Sequence, residues 1–193
     1  EEVILLPDPT LDGEVSLESA LSMRRSCRAF RDEEIALGQA GQLLWAAQGI
    51  TDFRRGFRTA PSAGATFPLE TYLVAGRVQG IAPGVYRYSP EGHELRPLFG
   101  GDLRGSLVRA ALGQGFIGDA PAVFVVSAVF SRTSKVYGDR AVRYVHMEAG
   151  HAAQNLCLQA AAMGLGSVVV GAFRDEEVNS AMNLHEGESV LYL

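Results

Sequence analysis

Residues 140–164 read RAVRYVHMEAGHAAQNLCLQAAAMG, the longest helical pattern in the chain. The spacing predicts a helix from about Arg140 to Met163, closed by Gly164. Apolar and small residues (Val142, Val145, Met147, Ala152, Leu156, Ala160) recur so evenly that no wide polar stripe remains. A helix that is apolar nearly all round is buried all round. In a chain of 193 residues the simplest cover is the protein's own core on one side and a second copy on the other.

Downstream of this helix, Ser167 to Val170 reads as a strand, Asp175 to Met182 as a capped helix, and Ser189 to Leu193 as a final apolar strand. The chain stops inside that strand without a polar tail, so a shortened or disordered C-terminal end is expected. Upstream, Pro121-Ala-Val-Phe-Val-Val126 is a continuous apolar run of strand length, expected to be buried on both faces. Residues 102–112 look helical. Val85-Tyr-Arg-Tyr88 and His93-Glu-Leu-Arg-Pro-Leu98 flank Ser-Pro-Glu-Gly, a hairpin signature, and Thr71 to Ala75 reads as a strand. Residues 54–68 read as an ordered loop. Leu37, Ala40, Gly41, Leu44 and Ala47 mark a helix that Gly49 ends, and Ser16 can cap a shorter helix running to about Arg25. These elements predict an α+β fold: a mixed or antiparallel sheet flanked by helices, in a single domain over residues 1–193, without repeats or linkers.

The charge sum, 17 basic against 22 acidic residues, is −5. A net acidic chain is a poor partner for a phosphate backbone, so nucleic acid is excluded as an expected partner. No window reaches the ~18 apolar residues of a membrane helix. Two cysteines 130 positions apart, Cys27 and Cys157, make neither a disulfide scaffold nor a Cys-based zinc site. The chain begins at Glu1 rather than Met, which leaves a preceding targeting segment open; a cytoplasmic protein is expected. Basic charge is carried by 16 Arg and the single Lys135. Seven of the Arg (24, 25, 28, 31, 54, 55 and 58) fall in one island, which in an acidic protein points to a small anionic ligand.

Gly113-Gln-Gly-Phe-Ile-Gly118 matches a dinucleotide fingerprint, but a helix precedes it and Asp119-Ala-Pro121 leads into a strand, the reverse of the required order. His146 and His151 are five apart and diverge on a helix, so no metal site is expected. Cys157 reads as a packed thiol. Cys27, between Ser26 and Arg28, has no His nearby in sequence to activate it. No G-x-S-x-G occurs. The constellation that survives is Arg24-Arg-Ser-Cys-Arg-Ala-Phe30, whose forked donors and hydroxyl beside a helix end suit a phosphate.

That segment resembles the N-terminal flavin-binding signature of FMN-dependent nitroreductase-like proteins. Pro61-Ser-Ala-Gly-Ala-Thr-Phe-Pro-Leu-Glu70 resembles the family's second flavin loop, in a form most like the branch of SagB-type and azoline dehydrogenases. Glu148-Ala-Gly-His-Ala-Ala-Gln-Asn155, followed by residues 163–173, resembles the central dimer helix and the strand beside the flavin ring. The resemblance implies a nitroreductase-like fold and a homodimer with two FMN sites at its interface. Arg24, Arg25, Ser26 and Arg28 would hold the phosphate, ribityl chain and pyrimidine edge. Pro61, Ser62, Ala63 and Gly64, supplied by the partner subunit, would pack along the ring, and Val170, Gly171 and Ala172 would line it near its reactive nitrogen. It implies an NAD(P)H donor and a small acceptor such as a nitroaromatic or quinone, reduced in a ping-pong cycle. An azoline dehydrogenase acting on a modified peptide, or a non-catalytic flavin binder, are the alternatives. The chain departs from the family in three places. Gly171-Ala172 stands where many nitroreductases have Glu-Gly, C-terminal basic residues have no counterpart, and Val136 separates Lys135 from Tyr137, adjacent in azoline dehydrogenases. With the chemistry carried by flavin, no acid–base residue is nominated; Lys135 and Tyr137 are the only candidates.

Overall fold

Two apolar strands form the centre of the molecule. β4 (Leu69–Ala75) is buried along its whole length, and β7 (Ala122–Val129) pairs with it from Leu69↔Ala128 to Ala75↔Ala122. β5 (Gly84–Ser89), β6 (Glu94–Gly100) and the short β1 (Ile4–Leu5) extend the sheet on one side, and β8 (Glu188–Tyr192) extends it on the other, in the order β1-β6-β5-β4-β7-β8. Every pairing in this sheet is antiparallel. The structure, a computed structural model, describes residues 3–193; Glu1 and Glu2, the start of the expected single-domain span, lie outside the described residues.

The period of two along each strand sorts side chains onto two cores. Tyr72, Val74, Val123 and Val125 meet Leu107 and Ala110 of α3 (Arg104–Ala110), Ile117 of α4 (Phe116–Asp119), and Val178 with the following Met182 of α7 (Asp175–Ala181). On the other face, Leu73 and Ala75 meet Ala40 and Leu44 of α2 (Leu37–Gln48), while Leu69, Val126 and Ala128 meet Val145, Ala149 and Ala152 of α6 (Ala141–Ala162). Helix α2 runs antiparallel to α6, with Gln42 donating to Gln159 at 3.1 Å and Ala47 packed in the cluster of Val145 and Ala149. Before it, α1 (Leu17–Met23) starts at Ser16, whose hydroxyl accepts the Ser19 N–H as expected of an N-cap.

Four expectations change. Helix α6 is buried at Val145, Ala149, Ala152, Cys157 and Ala160, but Val142 and Met147 are 54% and 53% exposed, so the chain covers only one side of its apolar helix. Ser167 to Val170 is extended yet joins no strand, because it pairs one residue at a time with different partners: Ser167 with Ser26, and Val170 with Leu193. Residues 54–68 hold β3 (Phe57–Arg58), which closes a hairpin with β2 (Ile50–Asp52), and a 3-10 turn at Ala63–Ala65. Last, α5 (Phe130–Tyr137), which the sequence left unassigned, is a short amphipathic helix with Thr133 buried.

Candidate functional site

Past the end of α1 the chain turns extended and runs alongside residues 166–167. Ser26 forms a parallel bridge with Ser167, and the Cys27 N–H donates to the Ser167 carbonyl at 2.9 Å. Gly166 makes room for this approach, since a Cβ there would stand 2.9 Å from Cys27 Sγ. Arg24, Arg25 and Arg28 are carried here, and none has a carboxylate within 4 Å among the described residues. Arg25 donates back to the Ser22 and Arg24 carbonyls (3.0 and 2.7 Å), and Arg28 lies over the Phe116 ring. The chain continues through buried Val170, fixed by two backbone bonds with Leu193, to exposed Gly171 and Ala172. The Ala172 carbonyl accepts from Gln114 (2.9 Å), whereas the Gly171 and Ala172 N–H groups donate to nothing among the described residues. Gln114 belongs to the glycine-rich 113–118 segment, which joins α3 to α4 and so lacks the strand-to-helix turn of a dinucleotide site. A cavity of about 500 Å³ adjoins this region, lined by Phe30, Phe116, Leu156, Val168 and both cysteines.

The 61–64 loop lies elsewhere. Ser62 Oγ accepts the Phe67 N–H at 2.9 Å, and Gly64 (φ +58°) passes so close to Tyr137 that a Cβ there would sit 2.7 Å from the phenol oxygen. Thr66 and Thr133 hydroxyls bond at 2.8 Å, pinning α5 to the same turn. Tyr137 therefore touches the loop, while Lys135 points into solvent. Asn155 Nδ2, past the middle of α6, donates to the Thr59 carbonyl (3.3 Å) and ties the residues just before the loop to that helix. Cys27 and residues 166–170 line the cavity together with Ala153, Leu156, Cys157 and Ala160, so this part of the site lies alongside the C-terminal half of α6. Within one chain Ser26 meets Ser167 and Gly64 meets Tyr137, and no hydrogen bond or ion pair joins the two groups among the described residues.

Sequence reasoning placed Arg58 in the surface island and gave Glu148 no role. Arg58 is nearly buried, stacked on Phe67 at 4.7 Å with Nη1 on Gln48 Oε1 (2.8 Å), and desolvation lowers its pKa. Glu148 is 2% exposed, and burial pushes its carboxyl up to about 7 although Ser62 and Arg58 favour the ionised form. The signal was present: a carboxylate in helical register with core-facing Val145 and Ala152. Arg54 and Arg55, by contrast, are exposed as expected. Cys157 is buried, Cys27 is half-buried with Sγ near the Ala29 carbonyl, and His146 and His151 are exposed.

Known proteins with this arrangement are readily found. A Methanocaldococcus jannaschii protein named as a nitroreductase is 46% identical over 183 residues, covering 95% of this chain and 90% of its own. The crystal structure of a Ralstonia eutropha protein, also named as a nitroreductase, superposes with a TM-score of 0.86 at 33% identity, over 100% of this chain and 87% of that one. A chain of the E. coli microcin synthetase McbBCD complex superposes with a TM-score of 0.71 at 26% identity, over 100% of this chain and 76% of that one. The nitroreductase family model matches residues 21–193, which include all three motif segments and every residue placed above. The chain belongs to the nitroreductase family, and its general role is that of an oxidoreductase.

Proposed function

We propose that the protein is an FMN-dependent oxidoreductase that takes a hydride from NADH or NADPH and delivers it to a small acceptor such as a nitroaromatic or quinone, working as a homodimer. The observation that carries this reading is the pairing of 24–28 with 167–172. It joins the segment of Arg24, Arg25 and Arg28, which have no carboxylate partners among the described residues, to the segment that runs on to Gly171 and Ala172, whose N–H groups have no acceptors there. The residues fit a flavin mononucleotide. Arg24, Arg28 and Ser26 supply charged and neutral donors for a phosphate, Arg25 for the pyrimidine edge, and Gly171 and Ala172 let backbone donors approach a planar ring. When bound, the flavin supplies the hydride chemistry; the protein supplies orientation and electrostatics.

The homodimer reading rests on the exposed apolar residues of α6, Val142 and Met147. Pairing two copies of α6 antiparallel through their exposed faces would bring Pro61, Ser62, Ala63 and Gly64 of the partner subunit to the 24–28 end of the first. Each interface would then complete two equivalent sites. An absorbance scan of the purified protein tests the cofactor: a flavin spectrum is expected, with FMN released on denaturation. A colourless protein that takes up no added FMN overturns the reading. Bound flavin that NADH and NADPH never bleach would favour a non-catalytic binder.

A second reading, dehydrogenation of an azoline in a modified peptide, is favoured by Tyr137 lying against Gly64 and by the likeness to a microcin synthetase chain. It predicts loss of two hydrogens from a thiazoline peptide, read by mass spectrometry, and loss of that activity in Tyr137→Phe.

A further inference from the structure

Residues 64–68 run antiparallel to residues 129–137, from the end of β7 through α5, and touch them at four places in order. The Val129 N–H donates to the Pro68 carbonyl (2.9 Å), and Arg132 Nη1 donates to the Phe67 carbonyl (3.0 Å). The Thr133 and Thr66 hydroxyls bond to one another at 2.8 Å, and Tyr137 lies against Gly64. Within this stretch Gly64, Ala65 and Phe67 have φ of +58°, +52° and +43°, so two residues other than glycine hold the left-handed conformation within four positions. Such backbone persists only where its surroundings over-determine it. Phe67 meets that condition on three sides. Its carbonyl accepts from Arg132, its N–H donates to Ser62 Oγ (2.9 Å), and the Arg58 guanidinium covers its ring at 4.7 Å.

Arg132 is itself held in place. Its Nη2 donates to Glu70 Oε1, while Arg87 Nε and Nη2 donate to Glu70 Oε2 at 3.0 and 2.7 Å. Glu70 belongs to β4 at the centre of the sheet, and its side chain is nearly buried. A guanidinium fork serves a carboxylate and a carbonyl at once, which suits it to join the two. Contacts therefore run from the central strand through Glu70 and Arg132 to the backbone of the strained turn. We propose that Arg132 is a positioning residue for the 61–64 half of the flavin site: with Thr133 beside it, it clamps the turn from α5 so that residues 61–64 keep the shape that meets the cofactor. This rests on the FMN reading above. Arg132 acts through the Phe67 carbonyl, and no contact with the cofactor is assigned to it.

The test uses the full chain and the variants Arg132→Gln, Thr133→Val and Arg87→Gln, with Ala65→Gly added to the first. Amide exchange over residues 63–67 is read without cofactor, FMN affinity by fluorescence, and folding by circular dichroism. Arg132→Gln should speed exchange and weaken FMN binding about three- to tenfold, the size of one hydrogen bond. Thr133→Val removes the bond to Thr66 and should act in the same direction, which keeps the clamp testable if Arg132→Gln does not fold. Arg87→Gln takes the other guanidinium from Glu70 without touching the turn, so exchange and affinity should stay close to those of the wild type. Ala65 is exposed, and glycine accepts its φ of +52° without steric cost, so Ala65→Gly should restore most of what Arg132→Gln loses. A folded Arg132→Gln or Thr133→Val protein with wild-type exchange and affinity, an equal loss in Arg87→Gln, or no recovery with Ala65→Gly overturns the positioning role. Failure of the wild type to bind FMN overturns the flavin reading instead, and exchange in the same variants still reads the clamp.

Discussion

Arg24 and Arg28 lie on a short segment pinned by the Ser26–Ser167 bridge, where several donors can converge on one anion. Arg54 and Arg55 lie in the β2–β3 turn, their backbone N–H groups held by Asp52 Oδ1 (2.9 and 3.1 Å) and their side chains in solvent. The two pairs belong to one basic island and differ in what surrounds them. A charge-assisted hydrogen bond contributes roughly 1.5–3 kcal/mol, so Arg24→Ala or Arg28→Ala should weaken FMN binding about ten- to a hundredfold. An exposed arginine acting through its field contributes a few tenths of a kcal/mol, screened by salt. Titration of FMN into the four variants at two salt concentrations distinguishes the cases. Equal, salt-sensitive losses in all four would place the phosphate elsewhere.

The element that organises the site is α6. Its buried side packs on the sheet through Val145, Ala149 and Ala152, Asn155 ties it to the residues before the 61–64 loop, and Leu156 and Cys157 line the cavity beside Cys27. Its other side shows Val142 and Met147 to solvent, and large apolar side chains on an otherwise sound helix call for cover. Val142→Glu or Met147→Glu removes no contact with this chain's core, so circular dichroism should report a folded protein. Light scattering should report a monomer, and FMN should bind weakly or not at all. A folded variant that stays dimeric would show that the interface lies on another face.

For the whole molecule, a flavin site completed by the 61–64 loop of a second copy would make cofactor binding and assembly a single equilibrium. Mass action then requires the midpoint of thermal unfolding to rise with protein concentration, and FMN affinity to fall on dilution below the dimer dissociation constant. A melting temperature independent of concentration across about a hundredfold range, with FMN bound throughout, would point to a complete site within one chain.

How much of this could be read without coordinates depended on the range of the interaction involved. Local signals decided the Ser16 cap, the helix that Gly49 closes, the 85–98 hairpin and the long helix, because caps, turns and periodicity act over a few residues. The three motif segments were legible for the same reason: each is a short contiguous run. Ser167 to Val170 was misread as a strand because an apolar extended run does not encode which edge, if any, accepts it. Helix α5 was missed because its polar residues are held by contacts with the 61–66 turn, more than 60 positions away. Arg58 and Glu148 were passed over for a related reason. Burial of a charge is decided by elements far apart in sequence, here α2, β3 and α6, and only their packing turns a surface arginine and a helix carboxylate into a desolvated pair. The sequence by itself determined the local elements and the residue types of the site; tertiary structure decided which of them meet, because meeting depends on long-range packing that no local pattern specifies.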